Sequence, residues 1–334
     1  MNDSLHFLIQ SNVPQAVSYY KSNFGPLENT VLMSGYSHPV LEEIFAGVYH
    51  RAQQEEIPAQ IIHNCLDNSV QGIIFPDRSA GVWGIDVYDP QELSILATAR
   101  QEAFSPILKN WEIARKTYQK AREIHDEQEK VYVGNMNFEA ADSLTEETIH
   151  TLLDGKKSGH TGKGTDRFFG AATVNGNINY IPEVTRDIPK RYFIKGRPGT
   201  GKSTFLKKIA HAAIDRGFDT EIYHCSLDPN SLDLVAVREL NFCLFDSTAP
   251  HEYFPTLPED EIIDIYQRCV TPGTDEKYRE ELHNLQTAYK EMLMNAAVCL
   301  KNVKKACDRF DETLPSLGKM DIDDLTQQLI QKLF

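Results

Sequence analysis

Residues Gly196, Arg197, Pro198, Gly199, Thr200, Gly201, Lys202 and Ser203, followed by Thr204, carry the spacing G-x-x-x-x-G-K-[ST], the pattern of a phosphate-binding loop. Its glycines let the main chain curl with the N–H groups inward and no Cβ in the way. Such amides at the start of a helix form a positive concavity for phosphate. In that setting Lys202 reaches the β- and γ-phosphates and the Ser203 hydroxyl ligates Mg2+. Residues 196–204 are therefore expected to hold a nucleoside triphosphate. ATP is favoured over GTP because no guanine-reading N-K-x-D element occurs in the chain.

Phosphoryl chemistry also needs a carboxylate near the metal, at the end of a buried strand beside the loop strand. Asp246, after Phe242-Cys243-Leu244-Phe245, fits that place. No glutamate follows it, which lowers the expected rate of hydrolysis and leaves room for transfer to a substrate. Asp228 is read as ending the next strand, where open α/β sheets line their ligand crevice. Asp228, or Asp233, is thus a candidate general base, against the alternative of a turn aspartate. His224 and His251 are further acid–base candidates. Arg197, Arg238 and Arg268 are candidates for a transition-state arginine, as are Arg51 and Arg78 from elsewhere in the chain.

These side chains need a strand before the loop and a helix after it. Arg191–Lys195 reads as a short buried strand, and Ser203–Arg216 as a helix closed by Gly217. Phe205, Leu206, Ile209, Ala213 and Ile214 give that helix one apolar stripe. Gly162-Lys163-Gly164-Thr165 imitates part of the motif, but no strand precedes it and it reads as linker. Strands alternating with helices predict an α/β fold with a parallel, P-loop NTPase-like sheet.

A shift of 161 positions lays the N-terminal part on the loop-bearing part without a gap for about sixty residues. Phe7 then falls on Phe168, Tyr19 on Tyr180, Gly35 on Gly196, His63 on His224 and Asp67 on Asp228. Further on, Asp86 falls near Asp246, and Asp142–Glu147 resembles Asp323–Gln328. Two tandem related halves, each with a long helical arm, are expected. The first half keeps only the first glycine; Leu41 and Glu42 stand for Lys202 and Ser203. The expected domains are a degenerate half (1–154), a linker (155–165) and a nucleotide-binding half (166–334) whose arm is 276–334. Leu282, Leu285, Tyr289, Met292, Ala296, Cys299, Val303, Ala306 and Phe310 mark a heptad-like seam on that arm. Trp111, Ala114, Tyr118 and Ala121 mark a poorer one in the first half. Ser143 and Glu146 form a capping box opening that half's last helix.

At 334 residues, with 41% hydrophobic and 25% charged residues, the chain has a globular composition. A net charge of −14 disfavours nucleic acid as the main partner. Lys207-Lys208 reads as a solvated side of the loop helix. The six cysteines show no C-x-x-C pair and read as reduced thiols. No signal peptide and no membrane-length apolar run is recognised, so a cytoplasmic protein without membrane partners is expected.

Arg167-Phe168-Phe169-Gly170, the 196–204 loop, His224–Asp233 and Asp246–His251 together resemble an uncharacterised bacterial ATPase-like family with tandem P-loop NTPase modules. The resemblance covers most of residues 166–310. It implies nucleotide binding and supplies no substrate. Members of that family usually have glycine where Arg197 stands, and their first module can keep its own loop. The expected function is a Mg2+-dependent ATP-binding protein, an ATPase with one active loop in which Lys202, Asp246 and Asp228 serve catalysis. Ser203 and Asp246 hold the metal. The alternatives are a small-molecule kinase, or a nucleotide-sensing scaffold that binds a protein partner through its helical arms.

Overall fold

The computed structural model describes residues 4–11, 17–85, 101–249 and 252–334. Its first elements are β1 (Leu5–Phe7), α1 (Tyr20–Phe24), β2 (Asn29–Ser34), α2 (His38–Gln54), β3 (Gln60–His63), β4 (Val70–Phe75) and β5 (Ala80–Ile85). Two helices follow, α3 (Gln101–Val133) and α4 (Phe138–Leu153). Then come β6 (Gly164–Phe168), β7 (Gly170–Thr173), β8 (Gly176–Asn179), α5 (Ile181–Thr185), β9 (Lys190–Lys195) and α6 (Lys202–Asp215). The chain continues with β10 (Thr220–His224), β11 (Leu232–Val237), β12 (Phe242–Asp246), β13 (Glu261–Asp264), α7 (Ile265–Cys269) and α8 (Thr274–Lys277). It ends with α9 (Arg279–Asp311) and α10 (Lys319–Leu333).

The fold is α/β, but its sheets are mixed rather than parallel. One has the order β1-β3-β4-β5-β2, the other β13-β9-β12-β11-β10-β6. In the second, β9 runs parallel to β12 and β13, while β10–β11 and β11–β12 are antiparallel. The first repeats this, with β2 parallel to β5 and the β3–β4 and β4–β5 pairs antiparallel. The cause is local. One-turn 3-10 segments, Pro76–Arg78 and Arg238–Leu240, join β4 to β5 and β11 to β12. Each ends on a left-handed residue, Ser79 (φ 47°) or Asn241 (φ 56°). So short a connection can only make antiparallel neighbours.

The chain forms two compact units, and they are not the sequence halves 1–154 and 166–334. Unit 1 comprises Met1–Thr117, Phe168–Val184 and Asn295–Phe334; unit 2 comprises Tyr118–Arg167 and Thr185–Met294. In unit 1, Leu41, Ile44, Phe45 and Val48 of α2 share one core with Ile322, Leu329, Ile330 and Leu333 of α10. In unit 2, Leu144, Leu152 and Leu153 of α4 share a core with Phe205, Leu206 and Ile209 of α6. Each loop helix is therefore covered by a helix from the other sequence half.

Three further expectations are corrected. The 155–165 linker is shorter than read, because β6 begins at Gly164 and joins the sheet beside β10. The Ser143–Glu146 box lies inside α4, which opens earlier at Asn137, whose side chain accepts from Ala140 N. The arm seam drifts: the buried line is Ala296, Leu300, Val303, Cys307 and Phe310, replacing Cys299 and Ala306 by their neighbours. Both lines step by three and four, so the period is kept and only the alternate positions move on by one residue. Trp111, Ala114, Tyr118 and Ala121 are all buried as their spacing predicts. None of the six cysteines forms a disulfide among the described residues. No helix among the described residues is long and apolar enough to cross a membrane.

Candidate nucleotide site

Strand β9 hands the chain to α6 through Gly196–Gly201. Gly199 (φ 76°) and Gly201 (φ 82°) take the left-handed conformation, which a side chain resists. At Gly196 a Cβ would lie 2.6 Å from Thr200 Oγ1 and 3.1 Å from Lys202 Cδ. Buried Thr200 pins the loop, its Oγ1 donating to Arg197 O at 2.8 Å and accepting from Arg197 N at 3.2 Å. The first intrahelical bond of α6 is Phe205 N to Gly201 O at 2.9 Å. The amides of Gly201, Lys202, Ser203 and Thr204 thus donate to no protein acceptor among the described residues. Four aligned donors at a helix start form an anion site.

Asp246 closes β12 directly beside the loop strand, paired in register with Ile194. Its Oδ1 accepts from Thr248 N (3.1 Å) and Thr248 Oγ1 (2.6 Å), and its Oδ2 stands 3.6 Å from Lys202 Nζ. Lys202 Nζ also donates to Arg197 O at 2.8 Å. Ser203 Oγ accepts from Leu232 N at 3.0 Å. The expected trio of Lys202, Ser203 and Asp246 is therefore gathered at one loop. The register Leu234↔Phe245 sets Asp233 across from Asp246 on the neighbouring strand. Burial, and then the charge of Asp246, push the Asp233 carboxyl up to about 8. Only its position at the start of β11 could have singled Asp233 out over Asp228.

Asp228 is not at a strand end. Strand β10 stops at His224, and Asp228 belongs to the turn that follows. It accepts from Asn230 N (3.1 Å) and Ser231 Oγ (2.9 Å), an Asx turn that the alternative reading describes. Asp67 repeats this in unit 1, accepting from Ser69 N and Oγ. Asp228 also pairs with Arg122 Nη1 of α3 at 2.8 Å.

Four of the five arginines named from sequence, all but Arg78, have carboxylate partners away from Asp246. Arg197 reaches Asp275 (Nη2, 3.0 Å) and stacks 5.0 Å over Tyr266. Arg238 bonds Glu221, Arg268 bonds Glu147, and Arg51 bonds Glu55. His224 links Asp166 to the Pro229 carbonyl. Lys208 bonds Asp142 on α4 at 2.5 Å. Asp86 and His251 lie outside the described residues.

Sequence reasoning read a helical arm through Trp111, Ala114, Tyr118 and Ala121 of α3 but did not bring that helix to the loop. A Cβ on Gly199 would lie 2.5 Å from Glu129 O, so α3 packs on the loop by its backbone. Burial lowers the His125 pKa, while Glu129, Asp126 and Asp228 raise it and Lys202 lowers it further. Arg122, His125 and Glu129 share one helix face by their i, i+3, i+7 spacing, the one signal the sequence offered. An open depression of about 550 Å³ lined by Lys277, Tyr278, Glu280, Glu281, Asn284 and Leu285 shares no residue with the loop.

Ser203 and Asp246 are the residues here that could hold a divalent cation of the Mg2+ type. Ser203 Oγ and the Asp246 carboxylate are hard oxygen donors, and Thr248 orients the carboxylate. No protein-family model, curated protein or solved structure matches the chain.

Proposed function

We propose that the protein is a Mg2+-dependent ATP-binding P-loop protein that hydrolyses ATP at one site, the loop 196–203. The observation that carries this reading is the row of undonated amides from Gly201 to Thr204, set beside Lys202 and a strand-end carboxylate. The main-chain amides cradle the phosphates, and the Lys202 ammonium neutralises the β,γ region as a point charge. Ser203 and Asp246 would hold the metal, which when bound offsets charge on the β- and γ-oxygens.

In the reaction, a water oxygen bonds to the γ-phosphorus as the bond to the bridging oxygen breaks. The bond's electron pair leaves on ADP, and the water's proton passes to phosphate or solvent. The loop provides position and charge rather than covalent chemistry. The two related halves of the sequence fit the same proposal: sheets of like strand order, one with the cradle and one without.

The test is a thermal-shift panel of ATP, GTP and their diphosphates with and without Mg2+, coupled to phosphate release. ATP at about 100 times its Kd should add about 2.7 kcal/mol to the stability of the wild type. Lys202→Ala should lose that shift and lower hydrolysis on the order of 100-fold or more. Hydrolysis unchanged in Lys202→Ala would end the proposal.

A further inference from the structure

We propose that Arg122, on α3, supplies the charge that neutralises the γ-phosphoryl group during hydrolysis, and that Asp228 holds it until nucleotide arrives. This rests on the ATPase reading of the loop. Phosphoryl transfer of this kind draws on a cation beyond the loop lysine; Arg122, like the arginines at 197, 238 and 268, is paired with a carboxylate, but its partner lies on the turn that leads to the residue bonding the loop serine.

Arg122 is tied to the loop through the turn it pairs with and through its own helix. Its partner Asp228 lies on the turn entering β11, and the first residue of β11, Leu232, donates to the loop serine Ser203 at 3.0 Å. The helix carrying Arg122 meets the loop at Glu129, against Gly199. Arg122 and Glu129 lie on one face two turns apart, so the face that touches the loop is the face that carries the guanidinium. The side chain keeps 29% of its surface exposed and has donors beyond the one on Asp228; its Nε is 4.0 Å from Asp126.

Unit 1 provides the contrast. There Lys304 of α9 stands 3.8 Å from Asp67, the register partner of Asp228, and 2.8 Å from Asp308 four residues on. The arrangement repeats Arg122, Asp228 and Asp126. Beside a loop without a cradle the cation is a lysine, a point charge. Beside the cradle it is an arginine, whose planar fork matches phosphate oxygens. Asp228 can release it because Asn230 N and Ser231 Oγ still bond the carboxylate. Arg122 forms no covalent bond; it exchanges one anionic partner for another.

The experiment uses the full chain with Arg122→Ala, Arg122→Lys, Asp228→Asn and, as control, Lys304→Ala. Three readings are taken: kcat and KM for ATP, the ATP thermal shift, and retention of ADP with aluminium fluoride, which mimics the transferring phosphoryl group. Both Arg122 variants should lose kcat on the order of 10³-fold, keep the ATP shift, and fail to retain ADP with aluminium fluoride while still binding ADP. Asp228→Asn should keep the ATP shift and retain ADP with aluminium fluoride more tightly, because it removes the carboxylate that competes for the guanidinium. Lys304→Ala should keep kcat within twofold.

An Arg122→Ala protein that retains ADP with aluminium fluoride, or an Arg122→Lys protein with wild-type kcat, would overturn the proposal. So would weaker retention of ADP with aluminium fluoride in Asp228→Asn, since the pair would then be only a clamp on the turn. A wild type with neither ATP shift nor phosphate release would overturn the ATPase reading as well, a result distinct from losing the Arg122 role alone.

Discussion

Helices α2 and α6 leave corresponding strands, yet one N-terminus is closed by the chain itself and the other is open. In unit 1 three residues, Gly35–Ser37, join β2 to α2, whose His38 corresponds in register to Gly199. Where Gly199 and Gly201 turn left-handed, His38 and Val40 are already helical, with Pro39 in the first turn. The glycine curl has become one more turn of helix. One of its exposed donors is met from within, His38 N donating to Asp311 Oδ2 at 3.1 Å, and the buried His38 ring lies 3.5 Å from Asp67. In unit 2 the amides of 201–204 have no such partner among the described residues. Helix N-terminal donors demand an acceptor. On the proposed function, the carboxylate that unit 1 supplies stands where unit 2 would take an outside anion.

The comparison breaks most completely if each unit loses the helix lent by the other half of the sequence. Ile322, Leu329, Ile330 and Leu333 of α10 are buried in the core of unit 1. Four such side chains at roughly 1.5–3 kcal/mol each amount to about 8 kcal/mol, within the ~5–15 kcal/mol that holds a domain together. A chain ending at residue 317 should lose cooperative unfolding of unit 1 and expose residues 38–54 to protease. Hydrogen exchange checks this; full protection of α2 in the shortened chain would show that the sequence half folds alone.

The two loops respond differently to one added methyl group. Gly199→Ala meets both a positive φ and Glu129 O at 2.5 Å. Backbone strain of ~1–2 kcal/mol and overpacking of ~1–3 kcal/mol together give about 3–4 kcal/mol. Gly35 also has a positive φ (84°), but an added Cβ there meets nothing within 4 Å, and Gly35→Ala should cost about 1 kcal/mol. Denaturant unfolding of the two variants measures the gap. Equal losses would mean that α3 does not press on the loop.

What was legible in the sequence was local. Gly196–Ser203, the strand before it and the apolar stripe Phe205–Leu206–Ile209–Ala213 follow from neighbours in the chain, and all lie where their spacing puts them. Asp246 followed from one rule about strand ends. Sheet direction was half legible: Arg238–Asn241 leaves no room for a crossover, and counting those residues would have given an antiparallel pair. The Ser143–Glu146 box misled because a capping pattern costs nothing inside a helix already opened at Asn137. What stayed hidden was pairing between distant segments. The apolar faces of α4 and α10 announce burial without naming a partner, and Arg122 looks like any surface arginine until α3 is laid on the loop.

Acid should separate the units further. His63 Nδ1 donates to Asn68 O, so its Nε2 accepts from His6 Nδ1 at 2.9 Å, and the Tyr180 ring stacks 4.8 Å away. Burial lowers the His63 pKa from 6.5 to about 4, with the His6 charge adding to the fall and the Asn68 bond opposing it. The folded state then binds fewer protons than the unfolded state between those values, and stability rises with pH across that window. It is fully present above about 6.5 and falls toward 4, by up to about 3 kcal/mol. In unit 2 the corresponding His224 has the Asp166 carboxylate 2.9 Å away in place of an imidazole. His63→Gln should flatten the loss of Tm between pH 6.5 and 4. An unchanged slope would move the acid sensitivity to another group.

The smallest effect tests the carboxylate that closes α2. Asp311 accepts from His38 N in unit 1. At the matching place in unit 2, Glu129 offers its backbone to Gly199 and turns its carboxylate toward His125, 3.6 Å away. A charged cap at a helix start is worth about 1–2 kcal/mol. Asp311→Ala should therefore cost that much in the unfolding of unit 1, and Asp311→Asn less, because an amide oxygen still accepts from His38 N. Glu129→Ala leaves the helix backbone on the loop and removes only an exposed pair, so it should stay within about 0.5 kcal/mol. Urea titrations of the three variants resolve the difference. If Glu129→Ala were the costlier change, its side chain would be closing the second loop as Asp311 closes the first. The open row of amides from Gly201 to Thr204 would then need another explanation than a bound phosphate.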